Sequence, residues 1–201
     1  LEKQALSAYA EGRHAEARSL YEESLARLRA MGARLWVLVC LGESGMLALT
    51  VGDHRAAEAY FQEYVEKAQT WGDPESARYA LCGLSDLALA RGEAGKASCI
   101  RRRALQGAIE DGGLAAERVL FSFAQLSAQE GKHVHAAELL ALTYTIVSPS
   151  LRCTVMVCGG ADLERALRNA LSPEVYAAAQ ERGRARDVEG TLRELLAELA
   201  E

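Results

Sequence analysis

Four histidines, five cysteines and a dense set of carboxylates are the groups in this 201-residue chain that could do chemistry. A metal site needs several of them gathered at ligand spacing, and a nucleophilic site needs an attacking group held against a base. His14, His54 and His133 each stand two residues after a glycine, namely Gly12, Gly52 and Gly131. Repetition explains them as turn or helix-start residues, one repeat apart and too distant to share a metal. His135 is solitary. Cys153 and Cys158 form a CxxxxC pair with no second pair and no nearby histidine, so zinc is not expected there. The cysteine count is odd, the spacings irregular and most neighbours apolar, which reads as free buried thiols in a reducing cytoplasm. Gly42-Glu43-Ser44-Gly45 has the look of a nucleophile elbow, but it is not G-x-S-x-G and lies inside a helical stretch. The glycine pairs at 112–113 and 159–160 lack the Lys-Ser/Thr of a phosphate loop. Glu22 and Glu23 fall between core positions on an exposed face, and no carboxylate pair is singled out for acid–base work. The expectation is no catalytic residue, no metal and no cofactor.

Charge narrows the partners. Lys and Arg number 23 against 28 Asp and Glu, a net charge of −5. Arg101-Arg102-Arg103 and the trio Arg182, Arg184 and Arg186 are basic runs without interleaved aromatics to stack bases. They read as solvated helix faces or contacts to a neighbouring domain. Direct nucleic-acid contact is not expected, since phosphate binding needs a basic footprint. No apolar run approaches the roughly 20 residues of a membrane span.

The elements that position these residues announce themselves through glycine. Gly12, Gly52, Gly92 and Gly131 form one series, and Gly32, Gly72 and Gly112 form a second at the same period of about 40 residues. Five residues after each member of the first series stands an alanine: Ala17, Ala57, Ala97 and Ala136. Seven residues before it stands Ala5, Gly45, Ser85 or Ala124, and four before it Ala8, Ala48, Ala88 or Ser127. A stripe of small side chains lets antiparallel helices approach closely, with the alanine facing the stripe. Ala, Leu, Arg and Glu dominate the composition and favour helix. First helices of the pairs are expected at about 34–51, 73–91 and 113–130, and second helices at about 13–30, 53–70, 93–110 and 133–147. Leu1 to Glu11 reads as the second helix-half of a truncated first unit, and the chain as a piece of a longer protein. Trp36 and Trp71 are expected as packing anchors between units.

Glycine, then alanine five residues on, then a large residue four later (Tyr21, Phe61, Arg101, Leu140) resembles the tetratricopeptide repeat. Arg101 departs from the aromatic or aliphatic choice at that place. The longer period resembles the helical arrays at the carboxy terminus of bacterial LuxR-type regulators and related STAND ATPase transcriptional regulators, to which GRHAEARSLYEESLARLRAMG and ESARYALCGLSDLALARGE are similar. The resemblance covers 1–147 and implies an all-α fold, a right-handed α-α superhelix of TPR-like repeats. Residues 148–201 are expected to cap it. Ser148-Pro149 breaks the fourth pair. The stretch SLRCTVMVCGG carries some β character in Thr154 to Val157, yet its position favours a helix over about 150–171. Ser172-Pro173 starts a short helix expected to end at Gly183, and Asp187 caps the last one. The run LSPEVYAAAQERGRARDVEGTLRELL resembles the terminal element of the same regulators.

By that resemblance, first helices line the concave side, and positions three, six, ten and thirteen before the turn glycine face the groove. These are Tyr9, Val39, Met46, Leu49, Tyr79, Asp86, Leu89, Arg118, Phe121 and Gln125. An apolar and aromatic set with a few polar markers suits a peptide, a helix or a partner domain. The expected role is a cytoplasmic, non-catalytic scaffold binding a protein, a peptide or a small effector. It would be the sensor or interaction domain of a larger bacterial signalling or transcriptional regulator, in contact with adjacent domains of that chain. The alternative is a stand-alone adaptor that self-associates, for instance as a homodimer.

Overall fold

A computed structural model describes residues 1–112, 116–147 and 159–199. Among them the chain forms eleven α-helices and no strand. They are α1 (Glu2–Ala10), α2 (His14–Ala30), α3 (Arg34–Thr50), α4 (His54–Thr70), α5 (Pro74–Ala90), α6 (Ala94–Glu110), α7 (Ala116–Gln129) and α8 (His133–Ile146). The tail adds α9 (Ala161–Ala170), α10 (Pro173–Ala185) and α11 (Val188–Glu198). The Ser148-Pro149 break, the Thr154 to Val157 run, Cys153 and Cys158 lie outside the described residues.

Both glycine series do one physical job. All seven members have φ between 66° and 77°, the left-handed region where a Cβ would clash. At Gly52, the Asp53 N–H reaches back to the Ala48 carbonyl at 2.8 Å, and the Gly52 N–H to Leu49 at 3.1 Å. Two otherwise orphaned carbonyls at the helix end are thereby satisfied. The next helix starts at once. The Asp53 carboxylate accepts from the Ala56 N–H at 3.1 Å, and Asp73 accepts from Ser76 at 2.9 Å ahead of Pro74. His14, His54 and His133 are the first residues of α2, α4 and α8.

The chain divides into two compact units, Leu1–Ile100 and Arg101–Glu201. In the first, α1 packs on α2, α2 on α3, α3 on α4 and α4 on α5, and α3 also touches α5. This is the neighbour pattern of stacked helix pairs. The small stripe is at the seam: Ala5, Ala8, Ala17, Ala48, Ala57, Ser85, Ala88 and Ala97 are buried. Ser85 Oγ donates to the Ala97 carbonyl at 3.3 Å, which places a stripe residue against the alanine of the facing helix. Phe61 of α4 lies between two glycines. A Cβ on Gly45 of α3 would sit 2.8 Å from its Cζ, and one on Gly83 of α5 would sit 2.6 Å from the same atom. The large side chain of one pair thus occupies a slot made by its own first helix and the next one.

In the second unit, α7 packs on α8, and α8 is covered by α10, with α9 touching α7, α8 and α10, and α11 against α7. Arg101 fills the large-residue place as a buried side chain, its Nη2 3.5 Å from Ser122 Oγ and its guanidinium 5.7 Å from the centre of the Phe123 ring. The departure from an aromatic residue is therefore accommodated by a serine and a ring that receive a cation.

Three expectations need correction. Gly183 does not end its helix; α10 runs through it to Ala185. The glycine serves close approach instead: a Cβ there would collide with the Glu138 carbonyl oxygen and lie 2.8 Å from Ala141 Cβ. Arg182 and Arg186 reinforce the contact from either side, 2.7 and 3.2 Å from the Glu138 carboxylate. Gly183→Ala should therefore destabilise this unit by about 2 kcal/mol, because a rigid backbone oxygen cannot move aside and the clash outweighs the helix-propensity gain. Chemical denaturation of the variant measures the loss; unchanged stability would mean α10 does not lie on α8. Trp36 is 50% exposed rather than a packing anchor, because Val37, Leu38 and Leu41 take the buried side of α3. Trp71 is half-buried, with the Arg34 and Lys67 cations 5.6 and 5.8 Å from its ring centre. Finally, Cys40 and Cys82 are buried, but Cys99 of α6 is exposed.

Candidate partner-binding face

The face nominated by spacing is built on α3 and α5 in the first unit. Val39 and Leu49 on α3, and Tyr79, Asp86 and Leu89 on α5, are half-buried. Each helix presents them at intervals close to whole helical turns, which leaves a mixed apolar and aromatic strip. Gly42 forms the floor. Above it the Tyr64 and Tyr79 rings stack with centroids 6.1 Å apart and planes inclined by 22°. A Cβ at 42 would lie 3.1 Å from Tyr64 Cε1 and 3.6 Å from Tyr79 Cε1, so the missing side chain lets the pair settle onto the helix. Met46 is buried in the core with Phe61 and Leu87, and Leu49 packs on the edge of that cluster. Tyr9 on α1 is also buried, its hydroxyl 2.7 Å from Thr50 Oγ1 and its ring 5.8 Å from that of His14.

In the second unit, Arg118 and Phe121 of α7 are buried, with the guanidinium 5.7 Å from the ring centre, while Gln125 is half-buried. Of the ten nominated residues, then, six keep accessible surface: Val39, Leu49, Tyr79, Asp86, Leu89 and Gln125. The other four are within the packing. Leu35 and Trp36 near the start of α3, and Met31 just after α2, are also large exposed apolar side chains, 61%, 50% and 77% exposed. Spacing from the turn glycine could not nominate them, since they lie more than thirteen residues before it.

Glu43 is a second feature that the motif reading passed over. It occupies the α3 position equivalent to Gly83 of α5, nine residues before the turn glycine, and only 4% of it is exposed. Burial pushes its carboxyl up to about 8; the Glu2 charge adds to the rise and the Tyr21 hydroxyl beside it opposes it. Cys40, one turn earlier, is pushed up to about 11 by burial and by Glu43. It is an inert thiol rather than a nucleophile. The Gly42-Glu43-Ser44-Gly45 stretch is helical throughout, and Ser44 Oγ donates to the Cys40 carbonyl at 2.7 Å.

No group of three or more His, Cys, Asp or Glu among the described residues is placed to hold a metal ion. Nor is any helix of the described residues long and apolar enough to cross a membrane. The tetratricopeptide repeat family model matches residues 1–70, which span α1 to α4. No curated protein and no solved structure matches the chain.

Proposed function

From a TPR-like helical-repeat array, we propose a non-catalytic scaffold that binds a protein or peptide partner along the first-helix faces. The carrying observation is the strip of Val39, Leu49, Tyr79 and Leu89, apolar and aromatic side chains left half-open on α3 and α5. Repeats of this kind serve protein–protein interaction, and His14, His54 and His133 stand at three separate helix starts. Rigid helices hold the strip at low entropic cost, so a partner's apolar anchors can be buried without ordering the scaffold. Residues 1–147 supply the binding array, and 148–201 close its apolar end.

The parent we infer is a cytoplasmic bacterial signalling or transcriptional regulator, on the resemblance of GRHAEARSLYEESLARLRAMG, ESARYALCGLSDLALARGE and the tail run to LuxR-type and STAND regulators. Reading the full open reading frame tests this: an ATPase and a DNA-binding domain are expected beside the array, and an unrelated enzyme domain would contradict it.

The binding face has its own test. Met46 is unsuitable because its removal would open the core. Tyr79→Ala with Leu89→Ala removes two half-buried side chains and should weaken partner capture by about tenfold or more while the helical circular dichroism stays unchanged. Capture by immobilised protein, with bound proteins identified for wild type and variant side by side, is the measurement. An identical captured set at equal strength would move the site elsewhere. Size across a dilution series separates a heterologous partner from a second copy of this chain.

A further inference from the structure

The second unit contains a cavity of about 240 Å³ that the partner-binding reading does not use. Its walls are Ala141, Tyr144 and Thr145 of α8, Glu164 and Arg168 of α9, and Gln180 and Arg184 of α10. Each helix contributes residues one turn apart, so three rigid elements converge on one space.

The charges in it are uneven. Arg168 is held by Glu164 at 2.8 Å and lies 4.5 Å from the centre of the Tyr176 ring, so its charge is matched. Arg184 is exposed on α10 and makes no ion pair or hydrogen bond among the described residues. It brings a second guanidinium to the same wall. The cavity also offers acceptors. Thr145 Oγ1 donates to the Leu142 carbonyl at 2.7 Å and keeps its lone pairs. Gln180 gives one amide N–H to the Ala137 carbonyl at 3.2 Å, and its carbonyl oxygen remains. The space is large enough for a small organic acid.

We propose that this cavity binds a small hydroxy- or amino-carboxylate. The carboxylate accepts from the Arg184 guanidinium, a charge-assisted pair that supplies most of the affinity. The adjacent hydroxyl or ammonium donates to Thr145 or Gln180 oxygen, which a plain acid cannot do. The proposal uses no residue of the α3 and α5 face, and its success or failure leaves the partner-binding reading standing.

A matched three-carbon series tests it on the full chain by calorimetric titration: lactate, alanine and propanoate, with inorganic phosphate as a fourth probe. Lactate or alanine should saturate one site, with propanoate and phosphate weaker by about tenfold. Arg184→Gln, at an exposed position that packing does not depend on, should weaken the bound acid by about tenfold or more, and Arg184→Lys should restore part of it. Saturation by none of the four probes would overturn the assignment. So would equal binding of propanoate and lactate, or binding that Arg184→Gln leaves unchanged.

Discussion

Replacing Glu43 with glutamine should flatten the alkaline side of the protein's stability curve. Burial pushes the folded carboxyl up to about 8, against 4.5 for a glutamate carboxyl in water. Between those two values the folded chain holds a proton that the unfolded chain has released. Unfolding then releases a proton, so stability falls as pH rises through this window, by about 1.4 kcal/mol per pH unit. The contribution is whole below the lower value and gone above the upper one. Glu43→Gln keeps the shape and abolishes the titration. Relative to wild type, the variant should gain on the order of 3 kcal/mol between about pH 5.5 and about pH 8.5. Taking the difference between the two proteins cancels every other titrating group. Urea denaturation at a series of pH values measures it, and parallel curves would mean that water reaches the Glu43 carboxyl.

The second large effect concerns the slot around Phe61. Gly83→Val puts a branched side chain where a Cβ alone would already be 2.6 Å from Phe61 Cζ. The ring cannot swing the other way, because Gly45 on α3 leaves no more room. Valine gains a few tenths of a kcal/mol in helix propensity over glycine, whereas overpacking costs about 1–3 kcal/mol. The clash wins, and a loss of about 2 kcal/mol is expected. Both tryptophans lie in the first unit, so their fluorescence follows the unit that contains the slot.

Glycine carried most of what could be read in advance. A left-handed turn at Gly12 or Gly72 has a local cause, so its signature is visible residue by residue. The small stripe was equally legible, because Ala5, Ser85 and Ala97 are small for one shared reason, the closeness of two helices. Gly183 misled for an instructive reason. A glycine in a helix end and a glycine under a crossing backbone look alike in a sequence, and only the position of Glu138 separates them. The groove was legible in register but not in depth. A fixed offset from the turn places Met46 and Phe121 on the same face as Tyr79, but how far a side chain sinks depends on its neighbours. Phe61 and Leu87 draw Met46 into the core. Glu43 stayed hidden because an acidic residue between Gly42 and Ser44 reads as polar surface until the helix on which Tyr21 sits is known. The cavity of α8, α9 and α10 was hidden more completely, since Thr145, Arg168 and Arg184 meet only through tertiary contact.

The central claim is that the α3–α4 pair lodges Phe61 against the first helix of the next pair, and a double-mutant cycle on Phe61 and Gly83 tests it most directly. Phe61→Ala alone should cost about 3–5 kcal/mol by emptying the slot. In that background Gly83→Val should become neutral or stabilising, since valine enters the vacated space, giving a coupling of about 2 kcal/mol between α4 and α5. Strict additivity of the two losses would show that the two residues do not meet, and the stacked-pair account would be wrong.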